Sequence, residues 1–161
     1  MNFTIEEIAQ LSGKRAKIYT VRVENEELTI FEDFLSKYSE KYENALQNIL
    51  TRIQVIGEQG ARNNFFKLNE GKPGDGLVAL FEMPDKKLRL YAIKYSDSYI
   101  ILGSGGVKEV RTWQDDPILS FENKRLQEVS KRITQRMIDK ELIWSDEKQS
   151  LIGNLDFFEE N

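Results

Sequence analysis

The chain has 161 residues and is acidic overall, with a formal net charge of −4, and it contains neither histidine nor cysteine. The absence of cysteine excludes disulfides and thiolate metal sites, and the absence of histidine excludes Ser-His-Asp triads, imidazole bases and most zinc sites. No apolar run approaches the roughly 20 residues of a membrane-spanning helix, and the N-terminus lacks a signal pattern. We therefore expect a cytoplasmic protein with no membrane partner. The net charge argues against a general nucleic-acid binder.

The first two expected elements are a short helix and a strand. Thr4 and Glu7 have the spacing of a capping box, which predicts an amphipathic helix over Thr4–Leu11. This helix would be an appendage, residues 1–15, ahead of the main domain. The next stretch, Ala16–Val23, alternates along a β-rich sequence and predicts a strand.

Two helical stretches follow this strand. Apolar and aromatic residues recur at helical spacing from Phe31 to Tyr38 and again from Tyr42 to Gly57. A break near residues 39–40 leaves two arrangements open, either a pair of antiparallel helices or one bent helix. Both stretches are amphipathic, so each is expected to bury one stripe of side chains.

A meander of three strands is predicted in the middle of the chain. Glycine and proline are concentrated between Glu58 and Gly76, which indicates a loop. Three β-rich stretches come next, separated by turns of only three residues: Gly76–Met83, Lys87–Tyr95 and Tyr99–Gly103. Connections of that length join antiparallel neighbours.

The last of these strands runs into the sequence Gly103-Ser104-Gly105-Gly106. It does not match a phosphate-binding loop, which needs Gly-Lys-Ser/Thr or a helix directly after the glycines. The glycines are instead expected to let the strand kink or bulge at the end of the sheet. Such a bulge would turn Lys108 toward the face that displays Arg89.

A long helix and an acidic extension complete the chain. Asp116-Pro117 marks a helix start, and an apolar stripe continues to about Leu142. Asp115 and Asp116 suit a helix cap better than a metal site, because a hard cation needs more oxygen ligands; no metal site is predicted. Residues 144–161 form an acidic C-terminal extension, with a short helix expected around Glu147–Ile152.

The predicted order of helix, strand, two helices, three meandering strands and a long helix describes an α+β domain over residues 16–143. This order, with the sequences GLVALFEM, KLRLYAIKYSDSYIILGSGGVKEV and DDP, resembles the RelE/HigB-type toxins of bacterial type II toxin–antitoxin pairs, in the RelE/ParE superfamily. The resemblance implies a RelE-like antiparallel meander sheet. In a fold of that kind, the helix pair is expected to pack on one face of the sheet, the concave face to meet messenger RNA on the ribosome, and a C-terminal helix to follow.

The resemblance also implies an endoribonuclease that uses attack of a 2′-hydroxyl on the adjacent phosphate. Arg89 matches the family's sheet arginine, and Lys108 matches the basic residue at the end of the last strand. Four residues are expected to be catalytic: Arg89, Lys108, Arg111 and Tyr91. Four more are expected to bind RNA: Trp113, Lys94, Lys67 and Lys72. The expected partners are a cognate antitoxin and mRNA with the ribosome, and no cofactor or metal is expected.

Periodicity places Arg89 and Tyr91 on one face of their strand, so they can act together, and it places Lys94 on the other face unless the strand is bulged.

Two other functions stay open. One is a non-catalytic RelE/ParE-fold protein that binds a protein partner, such as an antitoxin, a gyrase-like target or a phage or mobile-element factor. The other is an unrelated α+β interaction domain.

Overall fold

The computed structural model describes residues 1–109 and 113–159. Within these ranges the chain forms a six-stranded sheet, a two-stranded hairpin and three α-helices. The strands are β1 (Phe3–Glu7), β2 (Lys17–Val23), β3 (Leu77–Phe81), β4 (Leu88–Ser96), β5 (Tyr99–Val107), β6 (Leu142–Ser145), β7 (Ser150–Gly153) and β8 (Asp156–Phe157). The helices are α1 (Ile30–Tyr38), α2 (Glu43–Gln59) and α3 (Pro117–Ile138).

The six-stranded sheet is mixed and has the order β3-β4-β5-β2-β1-β8. Strands β3, β4 and β5 pair antiparallel in succession, which confirms the predicted meander. Strand β2 then pairs parallel with β5, while β1 pairs antiparallel with both β2 and β8. The α+β class is therefore confirmed, with one parallel pair at the centre of the sheet.

Both faces of the sheet are covered. Alternate residues of β4 point to opposite sides: Leu88 and Leu90 join a core with α1 and α2, whereas Tyr91 and Ile93 join a core with α3 and the hairpin. Helices α1 and α2 both pack on the first of these faces. The open sheet face implied by the resemblance is not found, because α3 lies over the side of β4 that carries Arg89.

The helix predicted for residues 4–11 is wrong, because this segment contains strand β1. Phe3 and Ile5 alternate with polar residues and are 0% and 2% exposed, so the period is two rather than 3.6. On the other side of the strand, Oε2 of Glu6 accepts a hydrogen bond from Nε of Arg22 in β2 at 2.6 Å. The first residues are therefore part of the central sheet.

The three predicted longer helices are present, and the first two are separate. Thr29 and Glu32 form a capping box at the start of α1. Asp116 caps α3 by accepting hydrogen bonds from the backbone N–H groups of Ile118 and Leu119, with Pro117 in the first turn. This helix ends at Ile138, four residues before the predicted end, because the chain turns into β6.

The helix predicted near residues 147–152 is also wrong. This segment lies in the hairpin of β6 and β7, in which Trp144 pairs with Leu151. The Trp144 ring stacks on Tyr99 of β5 with centroids 4.6 Å apart, and Leu151 is buried in the α3-side core. Since the hairpin alternates inward and outward residues, a helical period does not fit it.

The glycine-rich end of β5 contains the predicted bulge, although the strand continues to Val107. Leu90 pairs with Gly105 and Ala92 pairs with Leu102, so two residues of β5 lie opposite Tyr91 alone. A Cβ at Gly105 would lie 1.8 Å from the backbone oxygen of Arg89. Only glycine permits this approach of the two strands.

Candidate functional site

Arg89 and Tyr91 lie side by side on the α3 face of β4, as their spacing predicts. Nη1 of Arg89 donates a hydrogen bond to the Tyr91 hydroxyl at 3.3 Å. The guanidinium also lies over the ring of Phe81, 4.6 Å from its centroid, in the geometry of a cation–π contact. The two residues therefore act as one unit on the sheet.

A carboxylate that the sequence analysis did not single out completes this unit. Oε1 of Glu70 lies 3.3 Å from Nη1 of Arg89, and both side chains are almost fully buried. The loop before β3 holds Glu70 in place, because its backbone N–H donates to Leu77 and its backbone oxygen accepts from Nδ2 of Asn123 at 2.8 Å. Asn123 lies on the buried side of α3.

The ion pair is incompletely satisfied among the described residues. Nε of Arg89 is buried and has no hydrogen-bond acceptor, and Oε1 of Glu70 has no hydrogen-bond donor of good geometry. Arg89 is 1% exposed. A buried charge pair of this kind stabilises little by itself, but loss of one partner leaves the other charge buried and uncompensated.

Two lysines stand at the rim of this pair. Nζ of Lys67 lies 3.8 Å from Oε2 of Glu70, and the Lys67 side chain is 54% exposed. Lys108 is half-buried, and its backbone N–H donates to Lys87 at 2.7 Å. Because it follows Val107, which lies on the α1–α2 side, Lys108 is on the same side of the sheet as Arg89.

We call Lys67, Glu70, Arg89, Tyr91 and Lys108 the Arg89 cluster. Partial burial lowers the pKa of Lys108 from its ordinary value, and the positive charges of Arg89 and Lys67 lower it further, against the opposite effect of Glu70. The pKa of Tyr91 is raised, chiefly by burial. The cluster is therefore a buried charged centre with a titratable amine at its edge.

The other predicted site residues are not part of this cluster. Lys94 lies on the opposite face of β4, as expected, and its Nζ pairs with Asp97 at 2.9 Å. Lys72 is exposed in the loop of residues 71–75. Arg111 lies outside the described residues. The backbone of Trp113 belongs to a short 3₁₀ turn before α3, and its side chain is outside the described part of the chain.

Two residues of the site, Asn123 and Glu70, are not predicted from the sequence, and only Asn123 has a local pattern that could have identified it. Asn123 lies between Leu119 and Leu126 on the buried stripe of α3, and a polar residue in such a position indicates a buried hydrogen bond. Glu70 follows no such period, because it lies in an irregular loop. Its burial depends on contacts with β3, β4 and α3 that only the tertiary structure creates.

A scan against protein-family models, a search of curated proteins and a search of solved structures each found no match to the chain. None of the helices in the described ranges is long and apolar enough to span a membrane. Over the same ranges, no group of three acidic side chains is arranged to hold a metal ion.

Proposed function

We propose that the chain is the toxin component of a toxin–antitoxin pair of the RelE/HigB kind, a ribosome-associated endoribonuclease that cleaves mRNA. The observation that carries the proposal is the convergence of Lys67, Arg89, Tyr91 and Lys108, which come from three separate segments of the chain. Positive groups fixed at one place stabilise the charge that builds up on a phosphate during its reaction. A cognate antitoxin would be the inhibiting partner.

The reaction is the attack of a ribose 2′-oxygen on the adjacent phosphorus. A new O–P bond forms while the bond from phosphorus to the 5′-oxygen breaks, which yields a 2′,3′-cyclic phosphate and a 5′-hydroxyl. The neutral amine of Lys108 takes the 2′ proton, and solvent protonates the leaving oxygen. A lysine whose pKa is lowered has more neutral amine near pH 7, which suits this role. The exposed ammonium of Lys67 neutralises charge on the phosphate.

Arg89 has a positioning role in this proposal. Its guanidinium is 1% exposed and faces Glu70, so it does not touch RNA in this conformation. It lowers the pKa of Lys108 through its charge and orders the loop that carries Lys67. Tyr91, which is fully buried, supports Arg89 in the same way.

A second candidate is a non-catalytic protein of the same fold that binds a protein partner. It is favoured by the burial of Arg89 and Tyr91 and by the cover that α3 places over their face of the sheet. Ile118 and Phe121 are 58% and 61% exposed near the start of α3. Exposed apolar residues that lie together indicate an interaction surface.

Controlled expression in a bacterial host tests the proposal. The wild type is compared with Lys108→Ala and Lys67→Ala, and the matched control is Lys14→Ala, an exposed lysine in the segment before β2. The wild type and the control should arrest growth and produce new RNA ends with 5′-hydroxyls, whereas Lys108→Ala should do neither and Lys67→Ala should be weakened. Soluble amounts and thermal unfolding are measured for each variant.

Two results would count against the ribonuclease. If the wild type is tolerated and transcripts stay intact, the protein-binding candidate takes precedence. If the wild type arrests growth but Lys108→Ala arrests it equally, the toxicity does not come from the Arg89 cluster.

A further inference from the structure

A groove next to the Arg89 cluster lies between α3 and the loop of residues 71–75. It is open to solvent and has a volume of about 730 Å³. Three lysines line it, Lys72 from the loop and Lys124 and Lys131 from α3. All three are exposed, and within the described residues none of their ammonium groups forms a hydrogen bond or an ion pair. The three positive charges are therefore available to a ligand.

The two carboxylates that line the groove do not neutralise these lysines directly. Asp75 accepts hydrogen bonds from the backbone N–H groups of Lys72 and Leu77 at 2.7 and 3.0 Å, so its oxygens are already engaged within the loop. Glu128 lies on α3 between the two helix lysines and forms no ion pair with them in the described structure. The groove keeps a positive excess.

The spacing of the lysines selects the kind of anion. Lys124 and Lys131 are seven residues apart on one side of α3, which corresponds to about 10 Å along the helix axis. The separation of these two backbone positions exceeds the size of one phosphate group. A chain of phosphates can contact both, with Lys72 on the opposite wall. The side-chain amides of Gln127 and Gln135 also line the groove, and each already donates one hydrogen bond within the chain, to Asn123 and Asp139.

The groove is joined to the Arg89 cluster through hydrogen bonds. Nε2 of Gln127 donates to Oδ1 of Asn123 at 2.6 Å, and Nδ2 of Asn123 donates to the backbone oxygen of Glu70 at 2.8 Å. The loop that supplies Lys72 also begins next to Glu70. The part of the groove lined by Gly71 is therefore next to Glu70 of the Arg89 cluster.

We infer that this groove binds the phosphate backbone of a single RNA strand, held by Lys72, Lys124 and Lys131. The inference rests on the proposed function, because it supplies the substrate track for the same site. Among the described residues, no aromatic side chain lines the groove, so binding there is expected to depend on the phosphate backbone, with little preference for sequence.

The test measures binding apart from cleavage. The probe is a labelled single-stranded 2′-O-methyl oligoribonucleotide, which cannot be cleaved by 2′-oxygen attack. The variant is Lys124→Ala with Lys131→Ala in the full chain, and the matched control is Lys14→Ala with Lys148→Ala, which removes the same charge from exposed positions elsewhere. Affinity is measured over a series of salt concentrations for all three proteins.

The groove variant should bind more weakly than the wild type. Each phosphate contact to a single strand contributes about 0.7 to the slope of log affinity against log salt, so the loss of two contacts should reduce the slope by about 1.4. The control pair should retain the wild-type slope. Equal slopes in the groove variant and the wild type would overturn the inference. It would also be overturned if duplex RNA or free inorganic phosphate displaced the probe from the wild type as effectively as an unlabelled single strand does.

Failure of the groove and failure of the ribonuclease are distinguishable. If the wild type binds the probe through the groove lysines but cleaves no unmodified RNA, the groove stands and the catalytic proposal falls. If the wild type cleaves RNA while the groove variant binds the probe normally, the ribonuclease stands and this track is wrong.

Discussion

Nη1 of Arg89 lies 3.3 Å from Oε1 of Glu70, and the two side chains are only 1% and 5% exposed. The pair joins the loop before β3 to the middle of the sheet, under α3. Because water is largely excluded, each charge depends on the other for compensation.

Replacing Glu70 with glutamine should destabilise the fold strongly. The substitution keeps the size of the side chain but leaves the Arg89 guanidinium buried without a negative partner, which costs about 3–5 kcal/mol. Chemical denaturation measures the free energy of unfolding. Asp97→Asn is the control, because Asp97 is 66% exposed in its pair with Lys94 and its loss should cost less than about 1 kcal/mol. Equal costs in the two variants would show that the buried pair has no special role.

Removing both charges should cost less than the two single substitutions suggest. In Glu70→Gln with Arg89→Met, no uncompensated charge stays in the core, so the double variant should be more stable than the sum of the single effects predicts. A double-mutant cycle of unfolding free energies measures the difference. Strict additivity would mean that the two groups do not interact.

Lys108 should titrate below the ordinary pKa of a lysine. Its pKa is lowered by burial and by the charges of Arg89 and Lys67, so in Lys67→Ala it should rise toward the ordinary value. Titration of the Lys108 Cε resonance by NMR measures both values without reference to activity. A pKa for Lys108 that is unchanged by removal of Lys67 would contradict the proposed electrostatic arrangement.

The lowered pKa of Lys108 also determines whether the free energy of unfolding rises or falls with pH. Because the folded state holds the Lys108 proton less tightly than the unfolded state, the unfolded chain binds more protons between the lowered pKa and 10.5. The contribution of Lys108 to stability therefore rises with pH across that window. The rate of the proposed RNA cleavage should rise through the lowered pKa as the neutral amine forms.

Gly105→Ala should destabilise the protein more than Gly106→Ala. At Gly105 the new Cβ would lie 1.8 Å from the backbone oxygen of Arg89, so the paired strands must separate. At Gly106 the nearest atom is the Tyr38 hydroxyl at 3.1 Å, at the end of a side chain that can shift. Overpacking of this kind commonly costs about 1–3 kcal/mol, and more where backbone must move. Thermal unfolding of both variants gives the order, and the reverse order would contradict the strand pairing.

Local signals in the sequence predicted the meander and the long helix. The short connections before β4 and β5 and the Asp116-Pro117 start of α3 each act over a few residues, so the sequence shows them directly. The shared face of Arg89 and Tyr91 follows from strand period alone. These features needed no knowledge of distant contacts.

The segments that were predicted wrongly depend on distant partners. Strand β1 has only five residues, and Thr4 and Glu7 imitate a capping box, although Thr4 pairs instead with Arg22 of β2. The cover of α3 over Arg89 and the burial of Glu70 likewise arise when separate segments meet. Tertiary packing overrides short local patterns in these places.

The parallel pairing of β2 with β5 has a consequence for the order of folding. Thr20 donates a side-chain hydrogen bond to Leu102, 82 residues further along the chain, so β2 emerges from the ribosome long before its neighbour is synthesised. Closing so long a loop costs chain entropy and slows folding. The compact β3–β5 meander, whose contacts are local, is therefore expected to form first and to serve as the template on which the β1–β2 hairpin docks.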